Sequence, residues 1–331
     1  MNELSIESPA LRNPRGSECC IWRFFDGRAG HRNQVLGLTD ALGRMMPVTP
    51  CDVDVTSGLK GLRSLLPWRL KSLRRLPSPD LLIGAGHSTH VPLLAARRQF
   101  GGRAVVLMKP SLPLRWFDLC CVPESDGLRS VPGIVVLTEG VLNRVRPATA
   151  QDPQQGLILI GGPSKHFGWS DERVLCQIRQ IIRSKSSLQW TLTTSRRTPD
   201  SFLRLWQSAR LPGHMVPVEQ TSPEWVPQQL QQCATVWVTC ESVSMVFEAL
   251  TSGARVGILD LPEPRSTRVA TSLQSLISRG IVTPFQNWSI TGTMQSRTLQ
   301  LDESSRVAAD IRRRFLNDAS ADQKALRRDA A

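Results

Sequence analysis

"CCIWRFFDGRAGHRNQVLGLTDALGRMM", residues 19–46, decides how the chain is read. An apolar run, "CCIWRFF", enters a turn crowded with polar groups, and a helical pattern follows with Val35, Leu38, Leu42 and Met45 on one face. The same alternation continues outward. "VTPCDVDV", "PDLLIGAG", "RAVVLMKP", "FDLCCVPE" and "GIVVLTEG" read as strands, and "HSTHVPLLAARRQFGG" as a helix that stops at glycines. Strands alternating with helices predict a parallel sheet covered on both faces, an α/β fold.

"RVRPATAQDPQQG", residues 144–156, is polar, carries proline and lacks apolar periodicity, so it reads as a linker. The pattern then restarts with "LILI", the loop "GGPSKHFGW" and a helix over which Ile178, Ile181 and Ile182 face inward. Ser170 is placed to cap that helix, with Asp171 and Glu172 at the positive end of its dipole. "LQWTLTT", "HMVPVE", "ATVWVT" and "RVGILDL" supply further strands. The expected architecture is two Rossmann-like domains facing a cleft. It comprises a polar tail (1–18), a front domain (19–146), a linker (147–156), a back domain (157–300) and a C-terminal helix or tail (301–331). In open α/β sheets ligands bind at the carboxyl ends of strands, where the polar turns of this chain fall.

Composition narrows the partners. The 331 residues carry 41 Lys and Arg against 28 Asp and Glu, a net charge of +13, and the excess is heavier in the first 150 residues. Such a balance implies an anionic partner: nucleic acid, a membrane surface or a phosphorylated small molecule. Tyrosine is absent and no nucleic-acid-binding module is present, so nucleic acid is not expected. The eight cysteines form no C-x-x-C pair. Those adjacent in "ECCIW" and "DLCCVP" read as small hydrophobes of buried strands, so no metal site is expected. No apolar run approaches the ~20 residues of a membrane span, and the first residues lack the layout of a signal peptide. The chain is expected in the cytosol.

"GLKGLRSLLPWRLKSLRRLPS" contains no acid between Asp54 and Asp80. Its leucines are spaced as on a helix, but Pro67 divides it in two. Trp68, Lys71, Arg74 and Arg75 would meet an anionic membrane on its inner face, if the block is more than a solvated surface over a leucine core.

Several turns carry chemistry. In "LILIGGPSK", Gly161 and Gly162 let the backbone approach a ligand, with Ser164 and the charge of Lys165 beside them. The spacing is not that of a phosphate loop, and an ordinary tight turn with a surface lysine remains the alternative. In "TLTTSRRT", Ser195, Arg196, Arg197 and Thr198 leave a strand end where arginines clamp phosphate oxygens, or where a loop is merely solvated. "VTCESVSMVFEALTSG" places Ser242, Ser244 and Met245 at a helix start, suited to a diphosphate. Glu248 lies one turn further, suited to a ribose diol, unless it is only an exposed glutamate. In the front half, Gly86 and His87 are read as part of a polar cleft wall.

"DGRAGHRNQVLGL", "LIGGPSKHF", "TTSRRTP" and "CESVSMVFEALTSG", in this order, resemble the elongated-mitochondria fission family over roughly residues 20–290. That family resembles GT-B glycosyltransferases such as the N-acetylglucosaminyl transferase that makes lipid II. The resemblance implies two Rossmann-like domains, a nucleotide-sugar in the back domain and an acceptor at the front. By it Glu248 would hold the ribose, and Gly162, Ser164, Ser195, Arg196, Ser242 and Ser244 the phosphates. Two departures stand out: His87 and Ser88 occupy positions where the family usually has arginines, and Glu241 stands for an aspartate.

The resemblance places the first turn, with Gly27, Gly30, Asn33 and Gln34, at the reacting carbon. His31 and Asp26 are its two groups able to act as a base, either one in that role with the other as helper. Arg28 and Arg32 would draw in the anionic donor. The implied function is sugar transfer from a nucleotide-sugar without a metal or other cofactor. The alternative is a scaffold that kept the fold and lost the chemistry.

Overall fold

The computed structural model describes residues 18–56, 73–165, 167–262, 268–295 and 301–316. They form two compact units. The first runs to Val122 and includes Arg129–Val136 and the chain from Ser305. The second comprises Pro123–Leu128 and Leu137–Ser304.

The first unit is built on a six-stranded sheet. Its elements are β1 (Cys19–Phe25), α1 (Ala29–Met45), β2 (Val48–Asp54), β3 (Leu81–Ala85), α2 (His90–Phe100), β4 (Arg103–Leu107), β5 (Leu119–Pro123) and β6 (Val135–Thr138). The strand order is β2-β1-β3-β4-β5-β6, and the pairs from β2 to β5 are parallel, with Trp22 opposite Leu82 and Ile83 opposite Val105. Cys20, Ile21, Trp22, Phe24, Phe25, Leu82, Ile83 and Val106 are all buried, as continuous apolar strands require when helices cover both faces. From β1 the chain first moves to one side, to β2, and then to the other, to β3. Winding therefore reverses between β1 and β3.

The second unit repeats the plan. It contains β7 (Asp152–Leu159), α3 (Asp171–Ser184), β8 (Gln189–Thr193), α4 (Asp200–Ala209), β9 (His214–Val216), α5 (Trp225–Gln232), β10 (Cys233–Thr239), α6 (Val243–Thr251), β11 (Arg255–Leu259), α7 (Arg268–Ser278), β12 (Val282–Pro284), α8 (Phe285–Thr291) and α9 (Glu303–Ile311), the last of which crosses back to the first unit. The order β12-β11-β10-β7-β8-β9, parallel throughout, is that of a dinucleotide-binding sheet, and winding reverses between β7 and β10. Ser170 caps α3 by accepting from Arg173 N at 3.2 Å, and Ile178, Ile181 and Ile182 are buried beneath it.

The boundaries differ from the sequence reading in several places, Pro123–Leu128 of the expected front domain among them, since it belongs to the second unit. Strand β7 starts at Asp152, inside the expected linker, because its first residues are exposed and polar and give no apolar signal. Residues 137–146 belong to the second unit: Val145 enters its core, and Asn143 Nδ2 donates to Thr251 Oγ1 at 3.1 Å. The helix expected from His87 begins as a 3₁₀ turn, His87–Thr89, and becomes α2 only at His90. The strand cysteines form no disulfide; all are buried except the half-buried Cys51, and burial first of all pushes the thiols of Cys19, Cys20 and Cys120 up to about 12. No helix among the described residues is long and apolar enough to cross a membrane.

The α3 elements allow a direct comparison of packing with capping. Ile178→Ala should cost about 2–5 kcal/mol of stability, the range for emptying a buried aliphatic site. Ser170→Ala should cost about 1 kcal/mol, the worth of an N-cap. Urea unfolding measures both, and equal losses would contradict the packing described.

Candidate functional site

Reversal of winding leaves a crevice at the carboxyl ends of β1 and β3 in the first unit, and of β7 and β10 in the second. Each crevice is lined by turns that the sequence marked as polar.

In the first unit, the turn after β1 presents Asp26 and the turn after β3 presents Gly86 and Ser88. Asp26 Oδ2 bonds His31 Nδ1 at 2.9 Å and accepts from Ser88 Oγ at 3.1 Å, while Oδ1 accepts from Arg28 N at 3.1 Å. The Asp26 side chain is 3% exposed and that of His31 15%. Burial alone would raise the Asp26 carboxyl. The bonds from His31, Arg28 N and Ser88, with the imidazole's charge, outweigh it and hold the group below the usual carboxylate range. Gly86 makes this pairing fit. Its φ of 83° and ψ of 153° lie where only glycine is at ease, and a Cβ there would overlap the His31 ring. Gly27 also has a positive φ, 82°.

The other front residues divide. Gln34 is buried, Asn33 half-buried and His87 exposed. Gly30 lies within α1, and a side chain there would meet open space, so this glycine is not required by close approach. The Arg32 guanidinium lies 4.2 Å from the Phe25 ring centroid and 3.6 Å from Asp52 Oδ2, with its side chain half exposed. These contacts orient the cation along its own sheet.

In the second unit three turns converge, since β10, β7 and β8 are neighbours. Gly161 N donates to Thr239 Oγ1 at 2.8 Å and Gly162 N to Glu241 Oε1 at 2.9 Å. A Cβ on Gly161 would overlap Glu241 Oε1, and one on Gly162 the backbone of Arg197. The glycines are therefore demanded by the protein's own close packing, and these two amides are engaged within the fold rather than offered to an anion. Ser164 Oγ closes the same turn by accepting from Phe167 N at 3.1 Å, and Lys165 is exposed.

The turn after β8 is pinned by Thr198, whose hydroxyl donates to Gly161 O at 2.5 Å and accepts from Ser195 N at 2.9 Å. Ser195 Oγ accepts from Arg197 N at 3.2 Å. Of the two arginines, Arg197 rather than Arg196 bends inward, with Nη2 3.4 Å from Glu241 Oε1. The residues alone offer both arginines and the resemblance singles out Arg196, whereas the fold turns Arg197 towards Glu241.

After β10, Ser242 is the N-cap residue of α6, yet its hydroxyl makes no capping bond, and no acidic residue occupies the first turn. The first amides of α6, including those of Ser244 and Met245, thus form a positive helix end at the reversal point. Ser244 is exposed, Met245 half-buried and Glu248 buried one turn further in.

Glu241 was passed over as a site residue, and its placement is unusual. Its side chain is fully buried, and Oε2 has no hydrogen-bond partner among the described residues. Burial raises its pKa against the opposing pull of Gly162 N, Thr239, its own backbone and Arg197.

Among the described residues no group of three or more His, Cys, Asp or Glu side chains could hold a metal ion. A cavity of about 310 Å³ lined by Ile182, Trp190, Pro212 and His214 opens where β8 and β9 begin, at the opposite end of the sheet from these turns. Of the basic block, Trp68 and Lys71 lie outside the described residues. Arg74 and Arg75 are exposed on a short 3₁₀ turn whose Leu73 is buried.

The family described as mitochondrial fission ELM1 matches the chain over residues 29–315. No curated protein matches it. Among solved structures, a UDP-N-acetylglucosamine 2-epimerase is similar at 12% identity and TM-score 0.55, over 89% of this chain and 95% of that one. The UDP-GlcNAc 2-epimerase from Neisseria meningitidis, in a structure bound to UDP-GlcNAc, is similar at 11% identity and TM-score 0.53, over 89% and 99%. The glycotransferase of kitacinnamycin is similar at 11% identity and TM-score 0.53, over 91% and 100%. The likeness is one of fold, of GT-B type.

Two measurements check this geometry. Gly86→Ala should cost at least ~1–3 kcal/mol, the strain of a side chain in that backbone region, and a variant as stable as the parent would contradict the His31 seat. Glu241→Gln tests the buried carboxylate through pH. Because the folded-state pKa is raised, the folded chain holds the proton more tightly. Glu241 therefore favours folding below its unfolded value of about 4.3 and loses that advantage as pH rises through the folded value. Urea midpoints of Glu241→Gln should gain on those of the parent from about pH 4 to pH 8. Asp26, with its depressed pKa, must show the opposite sign: Asp26→Asn should lose most near neutrality and least in acid.

Proposed function

The chain belongs to the mitochondrial fission ELM1 family, and we propose that it is a glycosyltransferase that moves a sugar from a nucleotide-activated donor to an acceptor hydroxyl. The observation that carries the reading is the uncapped N-terminus of α6 at the reversal point of the second sheet, with Ser242 and the inward-turned Arg197 beside it. A diphosphate is the ligand such a place favours, since free amides, a helix dipole and a guanidinium all offer hydrogen bonds to anionic oxygens. The likeness in fold to proteins named for UDP-GlcNAc supports a nucleotide-sugar as the diphosphate's source.

In this reading Ser242, Ser244 and the amide of Met245 hold the diphosphate, and Arg197, Arg196, Ser195, Ser164 and Lys165 add donors from the neighbouring turns. Glu248 takes the ribose hydroxyls. Gly161 and Gly162 shape the turn without binding. His31 is the base: with Nδ1–H given to Asp26, its Nε2 keeps the lone pair that removes the acceptor's proton. Asp26 orients the ring and stabilises the imidazolium that forms. Helix-end amides and Arg197 stabilise the departing nucleoside diphosphate, so no Lewis acid is required by the scheme. The exposed Arg74 and Arg75 support an acceptor at an anionic membrane.

A second reading, epimerisation of a nucleotide-sugar, is favoured by the names of two of the similar folds. It needs no acceptor, so product formed from UDP-GlcNAc alone would select it. A scaffold without chemistry would form no product with any acceptor.

Isothermal calorimetry with UDP-GlcNAc and UDP tests the donor site. Glu248→Gln should weaken binding by about 1–3 kcal/mol, the worth of hydrogen bonds to a charged group, and unchanged affinity would remove Glu248 from the site. His31→Ala should leave that affinity nearly intact and lower turnover by ~100-fold or more once an acceptor is in hand. Full activity in His31→Ala and Asp26→Asn would overturn the base assignment.

A further inference from the structure

Glu241 stands where the three turns of the second unit meet. Oε1 accepts from Gly162 N in the turn after β7 and is approached by Arg197 from the turn after β8. Thr239 lies at the end of its own strand, and α6 begins directly after Ser242. The carboxylate is wholly withdrawn from water, and its Oε2 has no partner among the described residues. A buried carboxylate beside a site suited to anions is a poor arrangement unless its charge is managed.

Arg197 is the cation that manages it. One Nη lies against Glu241, while the side chain is 45% exposed, so the guanidinium has further N–H donors facing solvent at the carboxyl end of the sheet. An anion drawn to the first turn of α6 would recruit those donors. Its field would oppose the ionised carboxylate behind the same guanidinium, and the acid form would become the cheaper one.

We propose that Glu241 and Arg197 are a proton-coupled clamp: a bound nucleoside diphosphate takes Arg197 as its partner, and Glu241 takes a proton from solvent. The inference rests on the reading of the second unit as a nucleotide site. The balance is simple. One proton leaves water or buffer and joins Oε2, Oε1 continues to accept from Gly162 N, and no other bond is made or broken. The protein gains one positive charge against the two negative charges of the diphosphate.

The groups around Glu241 agree with this direction. The turn after β7 offers Gly162 N–H, with the Lys165 ammonium exposed beyond. The turn after β8 offers Arg197 and, exposed, Arg196. From the end of β10 comes the Thr239 hydroxyl, and directly after it the Cys240 thiol, itself pushed up to about 12, first of all by burial. Beyond β11 stands the Asp260 carboxyl, raised by burial against the pull of Arg173 and a backbone bond from Gln286. From α6 come the free first-turn amides. Burial likewise raises the Glu241 pKa, and loss of Arg197 to a ligand removes one of the forces holding it down.

Calorimetry with UDP-GlcNAc, whose diphosphate carries two fixed charges, tests this from pH 6 to 8 in buffers of different ionisation enthalpy. The parent should take up a proton on binding, and its affinity should fall as pH rises, by up to tenfold per pH unit. Glu241→Gln, checked for folding by its melting curve, should bind without that uptake and with a flatter pH profile, while Arg197→Gln should bind more weakly at every pH. Equal proton uptake in Glu241→Gln and the parent, or none in the parent at any pH, would overturn the clamp while leaving the nucleotide site standing. Failure of the parent to bind either UDP-GlcNAc or UDP would overturn the site itself, and the clamp with it.

Discussion

Where the winding of a parallel sheet reverses, the loops leaving two neighbouring strands part in opposite directions, and the gap between them stays uncovered by a helix. Both sheets of this protein contain such a reversal, at β1 and β3 in one unit and at β7 and β10 in the other. The polar turns of the described residues are arranged around these two gaps. The Asp26–His31 pair and Gly86 sit at the first, and the Gly161–Gly162 turn, Arg197, Glu241 and the start of α6 at the second. The strands that flank the gaps are anchored by burial on both faces, as at Ile21, Trp22, Ile83, Ile158, Trp237 and Val238.

The two gaps use carboxylates in opposite ways. Asp26 accepts from an imidazole, an amide and a hydroxyl, and the hydrogen bonds overcome burial to keep it ionised. Glu241 is drawn down by Gly162 N, Thr239, its own backbone and Arg197, yet burial prevails. The difference lies in whether burial is outweighed, as it is at Asp26 and is not at the fully buried Glu241. Asp26 is thus equipped to steady a charged partner. Glu241 is equipped to exchange a proton when its surroundings change.

Most of the fold was legible because its strands are long apolar runs and its helices carry clear stripes, as in "CCIWRFF" and in α3. The first turns of β7 were not, since "DPQQ" is exposed and polar while still paired in the sheet. The site was legible as a set of turns but not as a set of roles. Gly161 and Gly162 were marked for a ligand, yet their amides and the space over their Cα atoms are consumed by Thr239, Glu241 and Arg197. Arg32 leans on Phe25 and Asp52, contacts that no local pattern announces. Arg196 and Arg197 are indistinguishable in sequence, and only the path of the turn separates them. Glu241 gave one faint signal, as a glutamate where the family usually has an aspartate. Its burial and its orphaned oxygen depend on residues about 45 and 80 positions away, beyond the reach of any local pattern.

The central claim is that the second unit binds a nucleoside diphosphate at the uncapped start of α6. A crystal structure of the protein with UDP-GlcNAc tests it most directly. The account predicts diphosphate oxygens within hydrogen-bond distance of the first amides of α6 and of the Arg197 guanidinium. A diphosphate bound elsewhere on the chain, or no ligand density at saturating concentration, would contradict it.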